Sequence, residues 1–150
     1  MPTIAASHLY TFAALIAVGS LLTTSFMVYA NTIREASETK KLEELLNLVA
    51  ANSIKLITLT LSTNASTETF LQLPARIGDK NYWIKMENDT SKAWIESGFG
   101  SNPTEGALQI SLAKNVLAAG VYVSGYGGAA RLRCSFASGI IQIQLSSEGE

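Results

Sequence analysis

The chain has 150 residues, with 11 basic and 12 acidic side chains, one histidine and one cysteine. Because the charges nearly cancel and the basic residues are scattered, the sequence argues against nucleic-acid binding, which needs a concentrated basic surface. His8 and Cys134 allow neither an internal disulfide nor a zinc ligand set, so no metal or other cofactor is expected.

The first segment is the most unusual one, because no charged side chain precedes Arg34. Its apolar run, Leu9 to Ala30, is long enough as a helix to cross the ~30 Å hydrocarbon core of a bilayer. The run is longer than the usual signal-peptide core and has no basic residue before it, so we expect a retained membrane or filament-core helix. The alternatives are a signal peptide cleaved after Ala30 and a helix buried in a soluble protein.

Small side chains line one face of this predicted helix, at spacings of i, i+4, i+7 and i+11. They are Ala13, Ala17, Ser20 and Thr24. In lipid, helices associate through van der Waals packing, and small residues let their backbones approach closely. We therefore predict that this stripe contacts the helix of a neighbouring subunit, against the alternative that such residues are simply common in apolar helices.

From Asn31 the chain turns polar but keeps apolar residues at helical spacing through Ala50, which predicts an amphipathic extension of the helix. An alternating, β-branched run follows from Ile54 to Leu61 and predicts a strand. Glu68 to Leu73 is its predicted partner in a hairpin. The helical segment is thus expected to occupy residues 1–52.

The rest of the chain alternates short β-patterned runs with turn residues. Asn81 to Glu87 and Lys92 to Glu96 predict a hairpin, and we expect Trp83 and Trp94 to pack across it rather than to form an exposed sugar-binding patch. Further strands are predicted at 107–112, 120–124, 129–137 and 140–146. The pattern predicts an α+β fold in which a small antiparallel β-sandwich or open β-barrel occupies residues 53–150.

Two N-glycosylation motifs lie in predicted turns, Asn64-Ala65-Ser66 and Asn88-Asp89-Thr90. They favour an extracellular β domain, and we predict that Asn64 and Asn88 carry glycan. The alternative is that both asparagines only serve the turn conformation. Arg34, Lys40 and Lys41 follow the apolar run and would, by the positive-inside rule alone, place the domain in the cytoplasm.

The sequence offers no catalytic constellation. A serine, threonine or cysteine nucleophile needs a base and an orienting group, and the sole histidine, His8, lies at the edge of the apolar run. We therefore expect no enzymatic activity.

An uncharged N-terminal helix that continues as an amphipathic helix into a β domain resembles the layout of archaeal type IV pilin-like proteins, which include pilins, archaellins and archaellum stator components. The stretch LQLPARIGDKNYWIKMEND, Leu71 to Asp89, is similar to a hairpin of secreted pilin-like proteins. The resemblance implies a structural filament subunit that enters the membrane before assembly, self-associates through its apolar helices, displays its β domain outside and serves adhesion or surface attachment. The alternative is a single-pass anchored domain at the cell surface that binds an envelope partner such as a surface-layer protein or a stator ring.

Overall fold

The computed structural model describes residues 2–104, 106, 108–125 and 129–147, with side chains described from residue 6 onward. These residues form one helix followed by seven strands, which confirms the predicted α+β class. The elements are α1 (Pro2–Thr63), β1 (Thr67–Leu71), β2 (Tyr82–Asn88), β3 (Ala93–Phe99), β4 (Leu108–Ser111), β5 (Val116–Val123), β6 (Ala130–Ala137) and β7 (Ile140–Ser147).

The chain divides into two compact units, Met1–Ser37 and Glu38–Glu150. In the first unit, every described side chain is exposed, from Ala6 through Ser37. The second unit contains the remainder of α1, the whole sheet and a hydrophobic core of its own. The two parts of α1 therefore have different environments, although one helix runs through both.

The part of α1 in the second unit packs one face on the sheet. Its buried residues recur at intervals of three and four, as a helix requires. They are Glu38, Leu42, Leu46, Val49, Ala50, Ser53, Leu56, Ile57 and Thr60. At the end of the helix, the hydroxyls of Thr60 and Thr67 lie 2.7 Å apart and join α1 to β1.

The strand predicted from Ile54 to Leu61 is wrong, because α1 continues to Thr63. The β-branched residues of this stretch favour a strand locally, but no proline or glycine lies between Gly19 and Pro74 to end the helix. A strand would bury alternate residues, whereas Leu56 and Ile57 are both buried. Packing of the helical face against the sheet therefore overrides the local propensity.

The seven strands form a single sheet in the order β1-β6-β7-β5-β2-β3-β4. The predicted hairpin of β2 and β3 is confirmed, and its register pairs Tyr82 with Phe99 and Asn88 with Ala93. One pairing, β5 with β7, is parallel, where the sequence predicted antiparallel strands throughout. The layer that a second sheet would supply in a sandwich is supplied here by α1.

Strand β5 changes partner at Gly120. Residues before it pair with β7, and those after it pair with β2, so β5 joins the two halves of the sheet. Gly120 has φ +115°, and a Cβ at this position would collide with the carbonyl oxygen of Leu145. Only glycine fits this close approach of two backbones.

The face of the sheet turned toward α1 carries the core. It includes Tyr82, Ile84, Met86, Ile95, Leu132, Cys134, Ile143 and Leu145, each at most 2 % exposed. Cys134 is fully buried on this face, and burial raises the pKa of its thiol. A buried, protonated thiol of this kind behaves as a small hydrophobic side chain.

Two leucines near the end of α1 test the helical assignment of this stretch. Leu56 is 5 % exposed and Leu61 is 61 % exposed. We expect Leu56→Ala to lower the free energy of unfolding by about 2–5 kcal/mol, because it removes buried apolar contacts and leaves a cavity. Leu61→Ala should change it by less than ~0.5 kcal/mol. Urea denaturation of the fragment 35–150 measures both, and equal losses would contradict the helical face described here.

Candidate functional site

The exposed part of α1 is the first candidate site. By length and composition this helix is able to cross a membrane, with an 18-residue window of mean hydropathy 1.8 in which no side chain is buried. Large apolar side chains such as Tyr10, Phe12 and Phe26 are 63–77 % exposed. A contiguous apolar surface of this size is rare on a soluble monomer and is typical of a surface that meets lipid or another protein.

Five hydroxyl side chains in this part of α1 are satisfied within the helix. Each donates to the carbonyl oxygen four residues earlier, at 2.8–3.0 Å; the donors are Thr11, Ser20, Thr23, Thr24 and Thr32. An unsatisfied hydroxyl is costly in an apolar environment, but one bonded to its own helix is tolerated there. The hydroxyls of Ser20 and Thr24 are therefore compatible with lipid or with a close helix contact.

All four residues of the predicted stripe, Ala13, Ala17, Ser20 and Thr24, lie in α1 and are exposed. Thr24 also borders a shallow concavity of about 410 Å³ that the sequence analysis did not identify. The concavity is lined by Leu21, Thr24, Ser25, Val28, Tyr29 and Thr32. A small residue, Ser25, between the larger Leu21 and Tyr29 is the sequence signal that could have indicated it.

The structure places Asn64 directly after α1. Its φ is +53°, in the left-handed region that asparagine adopts at helix ends, and its N–H donates to the carbonyl of Thr60 at 2.9 Å. Its side chain is exposed. The backbone of Asn64 thus ends the helix, while its carboxamide stays accessible for a modifying enzyme.

The second predicted glycosylation site, Asn88, has a structural contact. It is half-buried at the end of β2, and its Oδ1 accepts the N–H of Ala118 at 3.2 Å. This bond lies just beyond the last backbone pairing of β2 with β5, Met86 with Gly120. The Asn88 side chain therefore extends the contact between these strands where β5 turns to pair with β7.

Asp89 organises the turn that follows Asn88. Its Oδ1 accepts the N–H of Ser91 at 2.7 Å and that of Lys92 at 3.0 Å. These hydrogen bonds to the ionised form lower the pKa of the Asp89 carboxyl. Asp89 therefore has a backbone role in this turn, and glycosylation of Asn88 stays a prediction.

Polar and aromatic side chains share the sheet face turned away from α1. Trp83 is buried there against Gly98, whereas Trp94 is half-buried. The register pairs Trp83 with Gly98 and Trp94 with Glu87, so the two indoles are not directly opposite each other. Nearby, Lys85 forms an ion pair with Glu87, which raises the pKa of the lysine.

No protein-family model matches the chain, and neither a curated protein nor a solved structure is significantly similar to it. The resemblance to archaeal type IV pilin-like proteins therefore depends on the order of elements and on the stretch Leu71 to Asp89. Function has to be inferred from the surfaces themselves.

The contact of Asn88 with Ala118 predicts different effects for two substitutions. Asn88→Ala removes the acceptor and leaves the Ala118 N–H without its partner, so the free energy of unfolding should fall by about 1–3 kcal/mol. Asn88→Asp keeps an acceptor oxygen and should lose less. Urea denaturation of the fragment 35–150 gives both values, and an equal loss in the two variants would contradict a role for Oδ1.

Glycosylation is tested by intact mass on protein from its native host. Because the carboxamide of Asn64 is exposed, we expect Asn64→Gln to remove one glycan mass. We expect Asn88→Gln to remove a second glycan mass, because the bond to Ala118 uses Oδ1 and glycosylation modifies Nδ2. A parent protein with the mass of the bare polypeptide would show that both asparagines serve only the backbone.

Proposed function

We propose that the protein is a structural subunit of an extracellular type IV pilin-like filament, assembled through its N-terminal helix with the β domain outside. One observation carries the proposal. The segment from Ala6 to Ser37 is exposed throughout and has no charged side chain before Arg34. None of its described side chains is buried in a hydrophobic core. Such a helix needs apolar surroundings that the described chain does not provide.

The exposed side chains give the order of magnitude of the free energy that this segment gains on leaving water. The large apolar residues between Leu9 and Tyr29 are 54–77 % exposed. Full burial of each is worth about 1.5–3 kcal/mol, so the whole segment gains well over ~10 kcal/mol on leaving water. This exceeds the net stability of many small domains, and the helix is therefore expected in lipid or among other helices.

Two features support assembly among helices. The stripe of small residues permits close approach of a second helix, and the internally bonded hydroxyls of Ser20 and Thr24 need no water there. The second unit has its own hydrophobic core, which does not include the segment before Glu38. The exposed segment is thus available for partners while the β domain stays folded.

The second candidate function is a single-pass anchored domain at the cell surface that binds an envelope partner. It is favoured by the length of the apolar segment, which suits one crossing of a bilayer, and by the polar residues that follow from Asn31. In this case the apolar side chains face lipid rather than sister subunits. The β domain alone then makes the functional contact.

Ala17→Phe distinguishes the two functions. The larger side chain holds two backbones apart at the stripe and removes close packing, so we expect filament assembly to be lost. Leu15→Phe, outside the stripe, is the matched control and should assemble nearly as well as the parent. Intact cells are sheared, and the protein is followed in the sedimented filaments and in the membrane fraction.

The anchored-domain function predicts a different outcome of this experiment. The parent protein would then stay with the membranes after shearing, and Ala17→Phe would fractionate as the parent does. Thermal unfolding of the β domain should be unchanged in both variants, because neither residue belongs to the second unit. This control separates an assembly defect from a folding defect.

A further inference from the structure

A groove lined by polar and apolar side chains lies on the sheet face turned away from α1. Its volume is about 410 Å³, and it lies over three strands in the middle of the sheet, β5, β7 and β6. Besides Ile143, whose side chain lies in the core, the lining residues are Asn88, Leu117, Ala119, Arg133, Ser135, Gln142 and Gln144. A groove of this size is within the range of small-molecule binding sites.

The strand register orders these side chains into two rows. In one row, Gln142 has Leu117 on one side and Ser135 on the other. In the next row, Gln144 lies between Ala119 and Arg133. Each row therefore has an apolar residue from β5, a carboxamide from β7 and a hydroxyl or guanidinium from β6.

The charge in the groove is Arg133. Its cross-strand neighbour Glu68 forms its ion pair with Arg131, at 2.7 Å from Nη2, and this pair lowers the pKa of the Glu68 carboxyl, with a smaller contribution from the charge of Arg133. Among the described residues, no carboxylate lies within ion-pair distance of the Arg133 guanidinium, which is exposed. No acidic residue is among the lining residues, so the groove presents one positive charge and a set of neutral donors and acceptors.

The backbone hydrogen-bonding groups of these three strands are already paired within the sheet. β5, β7 and β6 are interior strands, and their N–H and C=O groups pair with neighbouring strands. A peptide could not add to the sheet here as an extra strand, because that mode of binding requires a free edge. Recognition in the groove must come from side chains alone.

We propose that this groove binds an acidic carbohydrate, with a uronic acid carboxylate at Arg133 and ring hydroxyls at Gln142 and Gln144. A guanidinium matches a carboxylate with two parallel hydrogen bonds. The carboxamides each offer donors and acceptors, which suits neighbouring hydroxyls. Leu117 and Ala119 supply an apolar surface for the C–H face of a sugar ring. This site goes beyond the proposed filament function and does not depend on it.

Isothermal titration tests the site on the full-length protein in a detergent without sugar groups. The probe is tetragalacturonate, and its methyl ester is the matched ligand that lacks the negative charges. Because the groove is open and solvated, we expect weak binding of tetragalacturonate, about millimolar in Kd, and at least ~10-fold weaker binding of the ester.

Three variants locate the binding. Arg133→Gln should weaken tetragalacturonate binding about tenfold or more by removing a charge-assisted pair, and Gln142→Ala should weaken it severalfold. Arg76→Gln removes one positive charge outside the groove and should bind as the parent does. All of these side chains are exposed, and circular dichroism confirms that each variant is folded.

Several outcomes would overturn the proposal. The first is that the parent protein does not bind tetragalacturonate at a ligand concentration of about 10 mM, which would detect even a very weak site. The others are that the methyl ester binds as tightly as tetragalacturonate, and that Arg133→Gln binds tetragalacturonate as tightly as the parent does. An equal loss in Arg76→Gln would show a general charge effect instead of a site. Failure of filament assembly would leave all of these measurements unaffected, so the two proposals are tested separately.

Discussion

The packing of one face of α1 on the sheet is the interaction on which the β domain depends. A single sheet has two faces, and the core face of this one carries residues such as Ile84 and Leu132 that are fully buried. Leu46 and Val49 of α1 are fully buried as well. The helix thus supplies the second layer that every hydrophobic core requires, and the domain needs no second sheet.

The same helix is used in two ways. From Glu38 onward its apolar face is satisfied within the chain, and up to Ser37 the apolar side chains meet no core. Because the two units are compact by themselves, the stability of the β domain does not require the exposed segment to be covered. The chain thus combines a large exposed apolar surface with a domain whose core does not include that surface. Subunits of assemblies and membrane-anchored domains combine the same two features.

The two halves of the sheet are connected through β5. Gly120 allows the close approach to Leu145, and Asn88 bonds the backbone of Ala118 where the pairing with β2 ends. The parallel pairing with β7 also places Leu117 and Ala119 beside Gln142 and Gln144. The change of partner that completes the sheet therefore also forms the groove on its other face.

Local sequence patterns were sufficient to predict the N-terminal helix and several strands of this protein. The charge-free run before Arg34 predicted the exposed apolar helix, and alternation around Asn88 predicted the hairpin of β2 and β3, because both signals depend only on near neighbours. The stretch from Ile54 to Leu61 misled the prediction, since its β-branched residues favour a strand while contacts with distant strands hold it helical.

Tertiary structure decided the features that join residues far apart in the chain. The parallel pairing of β5 with β7, the bond from Asn88 to Ala118 and the meeting of Arg133 with Gln142 leave no periodic trace in the sequence. Each depends on strand order, which is set by how all the buried faces fit together against α1. The sequence therefore indicated the exposed apolar helix, which depends on neighbouring residues. The groove became visible only in the tertiary structure, because it depends on the order of the strands.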